Sequence, residues 1–264
     1  MKSPGGHAIY RAIRADLPAT ATVQSATIAP TWTTVVTSAA TGIAMTPPER
    51  YRPPSIRGAV AGINLRDLAE FVGSWNVHES ALGVAAINSH WNQWQTLPAD
   101  DRITWDTHER PFGTFGGLGR LVTGKKVAII GHGPHVEKLR DRCDLTVLER
   151  RPRDDDLPDP ACEYVLGDQD FVFITASALA NKTLPRLIEL SQAAFTAVWG
   201  PSTPLCPALF DLGVDALLGC VFDEPAEVTR IAGEGGYFHD FQQHMTKVNW
   251  FRDTATVRAI AANR

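Results

Sequence analysis

The chain carries no strong charge of either sign. Over 264 residues, 25 Lys and Arg stand against 29 Asp and Glu, the formal net charge is −4, and no block of five basic residues occurs. The electrostatic footprint of a nucleic-acid or anionic-membrane binder is therefore missing, and a small-molecule partner is the better expectation. Long apolar runs are missing as well. No stretch approaches 18 consecutive apolar residues, and Lys2, Arg11, Arg14 and Asp16 interrupt the first twenty positions, where a secretory leader needs an uncharged run. The expectation is a protein of the cytoplasm. Cys143, Cys162, Cys206 and Cys220 form no CxxC pair, which argues against a zinc ribbon or a redox site and for reduced, mostly buried thiols. Hydrolase and nucleotidase signatures are also lacking: there is no G-x-S-x-G elbow and no P-loop. His78-Glu79 is not followed by the second histidine of a zinc protease, because position 82 is Leu.

What is present is a globular composition, 44% hydrophobic and 20% charged, long enough for one large domain or two ordinary ones. Residues 7–17 suit a short helix, and residues 20–44, dense in Thr, Val, Ile and Ala, have strand composition. Four prolines between Pro47 and Pro54 require an exposed connection. A helix is expected near residues 64–72 and a longer one over 74–94 with Ser74 as its cap, kept thin by Ala81, Gly83, Ala85 and Ala86. Residues 95–124 are glycine-rich yet hold Trp105, Phe112 and Phe115, the composition of a packed surface loop, a docking link or a lid.

From Lys125 the pattern changes. Apolar runs at 127–130, 145–148, 171–175, 194–199 and 216–222 alternate with stretches suited to crossover helices at 134–140, 181–192 and 204–212, while 150–163 reads as loop. Continuous apolar strands between helices are the signature of a parallel sheet covered on both faces. The predicted fold is α/β: a small α+β domain over residues 1–110, then a Rossmann-like domain over 111–264.

The strongest local signal is the run from Lys126 through Gly131-His132-Gly133-Pro134-His135, a strand entering a glycine turn and then a helix opened by Pro134. Backbone amides there would face the crevice at the carboxyl end of the sheet, as a ligand-binding turn. A dinucleotide fingerprint wants Gly or Ala where Val136 stands, which weakens diphosphate binding. Glu149, 18 residues after Gly131, suits a carboxylate accepting bonds from two ribose hydroxyls. An adenosine-type ligand follows. S-adenosylmethionine fits the partial glycine motif and NAD fits the acid, whereas NADP would need Arg150 or Arg151 to meet its 2′-phosphate. The alternative is a surface Glu149 paired with those arginines.

Other candidates cluster at strand ends. Thr175, Ser177, Asn181 and Thr183 follow the third apolar run, where ligand contacts or simple capping are both expected. Gly200-Pro-Ser202-Thr203-Pro204 reads as a second helix start with Ser202 facing the crevice. His132 and His135 form a candidate metal pair, with Glu79, Cys162, His239 and His244 as possible further ligands. Glu79 and Asn88, nine positions apart on one helix, face opposite sides, and Glu79 is the better candidate for a pocket.

Taken together these segments resemble a bacterial and archaeal family of heavy-metal chelation proteins, over roughly residues 33–250. The likeness rests on Glu79-Ser-Ala-Leu-Gly-Val-Ala-Ala-Ile-Asn88, Val127-Ala-Ile-Ile-Gly-His132, Leu148-Glu-Arg150, Ile174-Thr-Ala-Ser with Asn181 and Thr183, and Gly200-Pro-Ser-Thr-Pro204, in that order. The resemblance implies an enolase-N-terminal-like domain before a Rossmann-like domain, with an interdomain site that binds a metal or a metal-chelating small molecule. The chain departs from the family at the turn, where Gly133 and His135 replace a usual Phe and an apolar residue.

Two readings result. In one, an enzyme of small-molecule, metallophore or natural-product biosynthesis binds S-adenosylmethionine or NAD through Gly131, Gly133, Glu149, Thr175, Ser177 and Ser202, with Glu79, His132 and Asn181 as catalytic candidates. In the other, a non-catalytic protein holds a divalent metal or a metal chelate through His132, His135 and Glu79. A homodimer is the base expectation.

Overall fold

The computed structural model describes residues 7–49, 55–56, 58–106, 114–133 and 136–263. The Thr- and Val-rich stretch forms β1 (Val23–Ile28), β2 (Trp32–Thr37) and β3 (Thr41–Met45), an antiparallel sheet in the order β1-β2-β3. Ahead of it lies the short helix α1 (His7–Ala12), and after it come α2 (Leu65–Ala69) and α3 (Val77–Trp91). Thirteen residues of α3 are buried, so it is the axle of this lobe rather than a surface helix. Its cap is Asn76, whose side-chain oxygen accepts the His78 and Glu79 amides. Ser74, the expected cap, instead accepts the Asn76 amide and donates to Glu79, which starts the helix later than the sequence suggests. The small residues of α3 serve the close approach expected of them: a Cβ on Gly83 would lie 2.0 Å from the Val72 backbone nitrogen.

The larger sheet contains β4 (Ile103–Asp106), β5 (Lys126–Ile130), β6 (Asp144–Glu149), β7 (Leu157–Pro158), β8 (Phe171–Thr175), β9 (Phe195–Trp199), β10 (Ala216–Phe222) and β11 (Met245–Phe251), in the order β4-β11-β10-β9-β8-β5-β6-β7. All five apolar runs are strands in it, and the block from β7 to β10 is parallel. Three further strands were not expected: β11 runs antiparallel to β10, β4, from the glycine-rich link, pairs antiparallel with β11 at one edge, and the two-residue β7, in the stretch read as loop, pairs parallel with β6 at the other. The fold is thus α/β, a three-stranded antiparallel sheet and an eight-stranded, mostly parallel one.

Residues alternate across the larger sheet, as the period of a strand demands. Ala128, Ile130, Val172, Ile174 and Val198 join the core shared with α3, whereas Val127, Ile129, Phe173 and Ala197 face a second core with Leu118, Val122 and Ile260. The first face also carries α4 (Cys162–Val165), α5 (Ser177–Ala180), α6 (Leu184–Leu190) and α7 (Ala208–Asp211). Then α8 (Pro225–Gly233) packs on β2, and α9 (Thr254–Ala262) covers the second face. Phe115 of the link docks on this second face, 4.7 Å from the Phe173 ring and 5.0 Å from Trp199. Phe112 lies outside the described residues.

Two expected crossover helices are corrected. After β5 the described residues form a 3-10 turn, Val136–Leu139, in place of an α-helix. After β9 the α7 helix begins only at Ala208, with Pro207 as a cap that makes no side-chain bond, so Ser202-Thr203-Pro204 is not a helix start. From β5 the chain goes one way to β6 and β7, then crosses back to β8, β9 and β10, which opens a crevice at the carboxyl ends of β5 and β8. Among the described residues no helix is long and apolar enough to cross a membrane.

Candidate functional site

A cavity of about 480 Å³ occupies that crevice. Its floor is the turn Gly131-His132-Gly133 after β5, with Thr175 at the end of β8. One wall is Glu149, Arg150, Arg151 and Arg153, and the other is Ser177, Asn181 and Thr183. Met45, the last residue of β3, and Pro47, Pro48 and Glu49, which follow it, bring the first lobe over it. The site therefore lies between the two lobes.

The turn leaves β5 with Gly131 at φ 93°, its amide bonded to the Leu148 carbonyl at 2.8 Å. Glycine at 133 is set by space, since a Cβ there would lie 2.1 Å from the Trp199 ring. Glu149 ends β6 and lines the cavity, but its carboxylate also closes the turn: Oε2 accepts the His132 amide at 2.8 Å and Oε1 the Arg151 amide at 3.2 Å. This corrects the expectation of free amides awaiting an anion. The His132 N–H is engaged by Glu149, and among the described residues the turn is followed by a 3-10 segment rather than an α-helix whose dipole could hold a diphosphate.

The His132 side chain is held by a residue the sequence does not single out. Its Nδ1 donates to the Asp156 carboxylate at 3.0 and 2.9 Å, and the Asp156 side chain is only 1% exposed. Asp156 is fixed by its own loop, for Arg153 N–H donates to Oδ2 at 3.1 Å and Asp156 N–H donates to the Arg153 carbonyl at 2.8 Å. The other ring nitrogen, Nε2, is 3.5 Å from Glu137. The Arg140 guanidinium bonds both Glu137 oxygens, at 2.7 and 3.0 Å, and holds that carboxyl below the usual range.

On the opposite wall the Thr175 and Ser177 hydroxyls are 3.2 Å apart, and Asn181 Oδ1 accepts the Thr183 amide and hydroxyl at 3.1 and 2.7 Å. Charge on the arginine wall is only partly offset. Arg150 pairs with Asp159 at 2.8 Å and Arg151 reaches Glu49 at 3.4 Å, while Arg153 forms no ion pair among the described residues. Cys162 also lines the cavity, and burial pushes its thiol pKa up.

Two expected site residues stand elsewhere. Ser202 is buried and does not line the cavity; its hydroxyl accepts the Met45 amide at 2.8 Å, and its carbonyl accepts from Asn88 at 3.0 Å. Glu79 is buried at the start of α3, where it accepts from the Ser55 amide and from the Ser55 and Ser74 hydroxyls, and it too is absent from the lining. Asn88, fully buried, braces Ile43 and Ser202 instead of opening on a pocket. The structure thus joins Gly131, His132, Gly133, Glu149, Thr175, Ser177 and Asn181, but not Glu79 or Ser202.

His135 lies outside the described residues. Among those described, no group of three His, Cys, Asp or Glu side chains is placed to hold a metal ion. His239 and His244, two of the further candidates, sit in the 3-10 segment Phe238–His244 beside Asp240 and Glu224. The bond from His132 Nδ1 to Asp156 leaves Nε2 open, but the described residues bring no second and third donor to it, so by themselves they do not make a coordination site.

The strand order and the crevice define a two-lobed α/β protein with a Rossmann-like second lobe. The chain belongs to the family described as "Putative heavy-metal chelation". The DUF4213 profile matches residues 10–91 and the DUF364 profile residues 118–251, both under that description. It is 31% identical over 183 residues to an uncharacterised protein of Methanocaldococcus jannaschii, a match spanning 65% of this chain and 65% of that relative. Its structure is similar to that of a DUF364 protein of unknown function from Desulfitobacterium hafniense, with TM-score 0.84 and 32% identity over 95% of this chain and 100% of the other. A second DUF364 protein, from Pyrococcus horikoshii, shares the fold at TM-score 0.76 and 23% identity, over 92% and 99% of the two chains.

Proposed function

We propose that the cavity binds a small molecule bearing an adenosine-type group without a diphosphate, S-adenosylmethionine in preference to NAD, and that the chain is an enzyme of small-molecule or metallophore biosynthesis. The observation that carries this reading is Glu149, a carboxylate lining the cavity at the end of β6, beside the glycine turn at the crossover of the sheet. Each of its oxygens accepts one amide and keeps a lone pair for a ribose hydroxyl. Among the described residues the diphosphate of NAD finds no α-helix start after the turn and no open His132 amide, whereas S-adenosylmethionine needs neither. Its carboxylate suits Arg153.

A second reading is favoured by the arginine wall together with the family description. It is a protein that holds an anionic metal chelate through the chelator's oxygens. Arg150, Arg151 and Arg153 would grip the organic part, consistent with the lack of a three-donor cluster among the described residues.

A thermal-shift panel separates the two. Ligand at about 100 times its Kd stabilises by roughly 2.7 kcal/mol. S-adenosylmethionine or S-adenosylhomocysteine should raise the melting temperature while NAD, NADP and bare divalent metals leave it unchanged. A response only to metal–citrate complexes, abolished in Arg153→Ala, supports the second reading and rejects the first.

A further inference from the structure

We propose that Asp156 is a positioning residue that fixes His132, one of the residues lining the cavity, in its Nδ1–H form and leaves Nε2 with a basic lone pair. The proposal deepens the reading of the cavity as a ligand site, but it does not depend on which ligand is bound there. It names a substrate class, a small molecule with a weakly acidic O–H or N–H group.

The argument begins with the donors. A carboxylate only accepts, so the close approach of Asp156 to Nδ1 requires the proton on that nitrogen. Asp156 cannot turn away, because the Arg153 amide bonds the same carboxylate and its side chain is almost fully enclosed. It is therefore a buried acid with an imidazole as its partner. Nε2 is then left with its lone pair. Its neighbour Glu137, at 3.5 Å, is too far for a good hydrogen bond and is already held by both arms of Arg140. A third group, the Glu149 carboxylate, holds the His132 backbone, so the ring is fixed from both ends.

When a ligand O–H or N–H approaches, its proton passes to Nε2. The ligand keeps the electron pair of the broken bond as an anion, and the imidazolium is offset by Asp156. Arg153, in the same loop and without an ion pair among the described residues, is the nearby cation for that anion. The loop from Arg150 to Asp156 thus supplies both the orienting acid and the counter-charge, an arrangement of base, orienter and electrophile with general acid–base character.

The test is nitrogen-15 NMR of histidine-labelled, ligand-free protein at a pH where His132 is neutral, with His132→Gln used to assign the resonance. The expected result is a protonated-type Nδ1 and a basic-type Nε2 for His132, with loss of that signature in Asp156→Ala in favour of the Nε2–H form. An Nε2–H tautomer in the wild-type protein, or an unchanged tautomer in Asp156→Ala, overturns the proposal. The wild-type spectrum decides even if the variant does not fold. Because no ligand is present, failure here leaves the Glu149 reading standing, and failure of S-adenosylmethionine to bind leaves the Asp156–His132 pair standing.

Discussion

The Lys182 ammonium donates to the Val72 carbonyl at 2.8 Å, tying the second lobe to the segment that leads into α3. It also bonds the Ser80 hydroxyl of α3 and lies 5.4 Å from the centre of the Tyr10 ring, so one cation joins three parts of the first lobe. Lys182 itself stands at φ 73° between α5 and α6, a left-handed position that aims the side chain across the interface.

Burial pushes the Lys182 pKa from 10.5 down to about 7. Between those values the unfolded chain binds the proton and the folded chain does not. Stability should therefore rise with pH through that window, by up to about 1.4 kcal/mol per pH unit, and be level below pH 7 with respect to this group. Buried Cys206 and Cys220, pushed up to about 12, act in the opposite direction where unfolded thiols ionise. Urea unfolding of wild-type protein and Lys182→Met between pH 6 and 8.5 isolates the lysine. The difference between them should grow in favour of the wild type as pH rises, and a constant difference would refute the linkage.

Gly133→Ala should cost about 1–3 kcal/mol, the usual range for overpacking, because the new methyl meets the Trp199 ring. Calorimetry should show a lower melting temperature, with a change in tryptophan emission as the indole is displaced. A variant with wild-type stability would mean that the turn is not pressed against Trp199.

Asn92 is the polar strut at the end of α3. Its amide donates to the Thr203 and Cys220 carbonyls at 2.9 and 3.1 Å, and its oxygen accepts the Leu205 amide at 2.9 Å. Asn92→Ala leaves three buried backbone groups without this partner and should destabilise by about 1–3 kcal/mol. Denaturant unfolding measures it, and a change below about 0.5 kcal/mol would contradict the role.

Much of the architecture was legible in the sequence because buried parallel strands are apolar on both faces, as in Val127–Ile130 and Phe171–Thr175. The strand β11 was not, since Lys247 and Asn249 break its apolar run, and β4 is short and embedded in glycine-rich sequence. Spacing pointed to Glu149 because the first βα unit fixes where an acid at the end of the next strand must fall. Asp156 lay hidden in the Asp154-Asp155-Asp156 run, whose members are distinguished only by the tertiary fold. Glu79 and Ser202 carry the right chemistry at the right motifs. Ser55, Ser74 and the Met45 amide, distant or unremarkable in sequence, claim their polar atoms.

On the proposed reading of the cavity as a site for an organic ligand, extensive dialysis against a chelator should leave the melting temperature unchanged. Stoichiometric zinc or another divalent metal in protein as isolated, together with a fall in melting temperature on its removal, would contradict this and restore direct coordination.

Calorimetric titration of S-adenosylmethionine into wild-type protein and Glu149→Gln tests the central claim most directly. The glutamine oxygen can still accept the His132 amide, while the second carboxylate oxygen, and with it the longer bond from the Arg151 amide, is lost. The account predicts saturable binding to the wild type and at least tenfold weaker binding to the variant, about 1.4 kcal/mol. Equal affinity for both proteins, or no binding to a folded wild type, would contradict it.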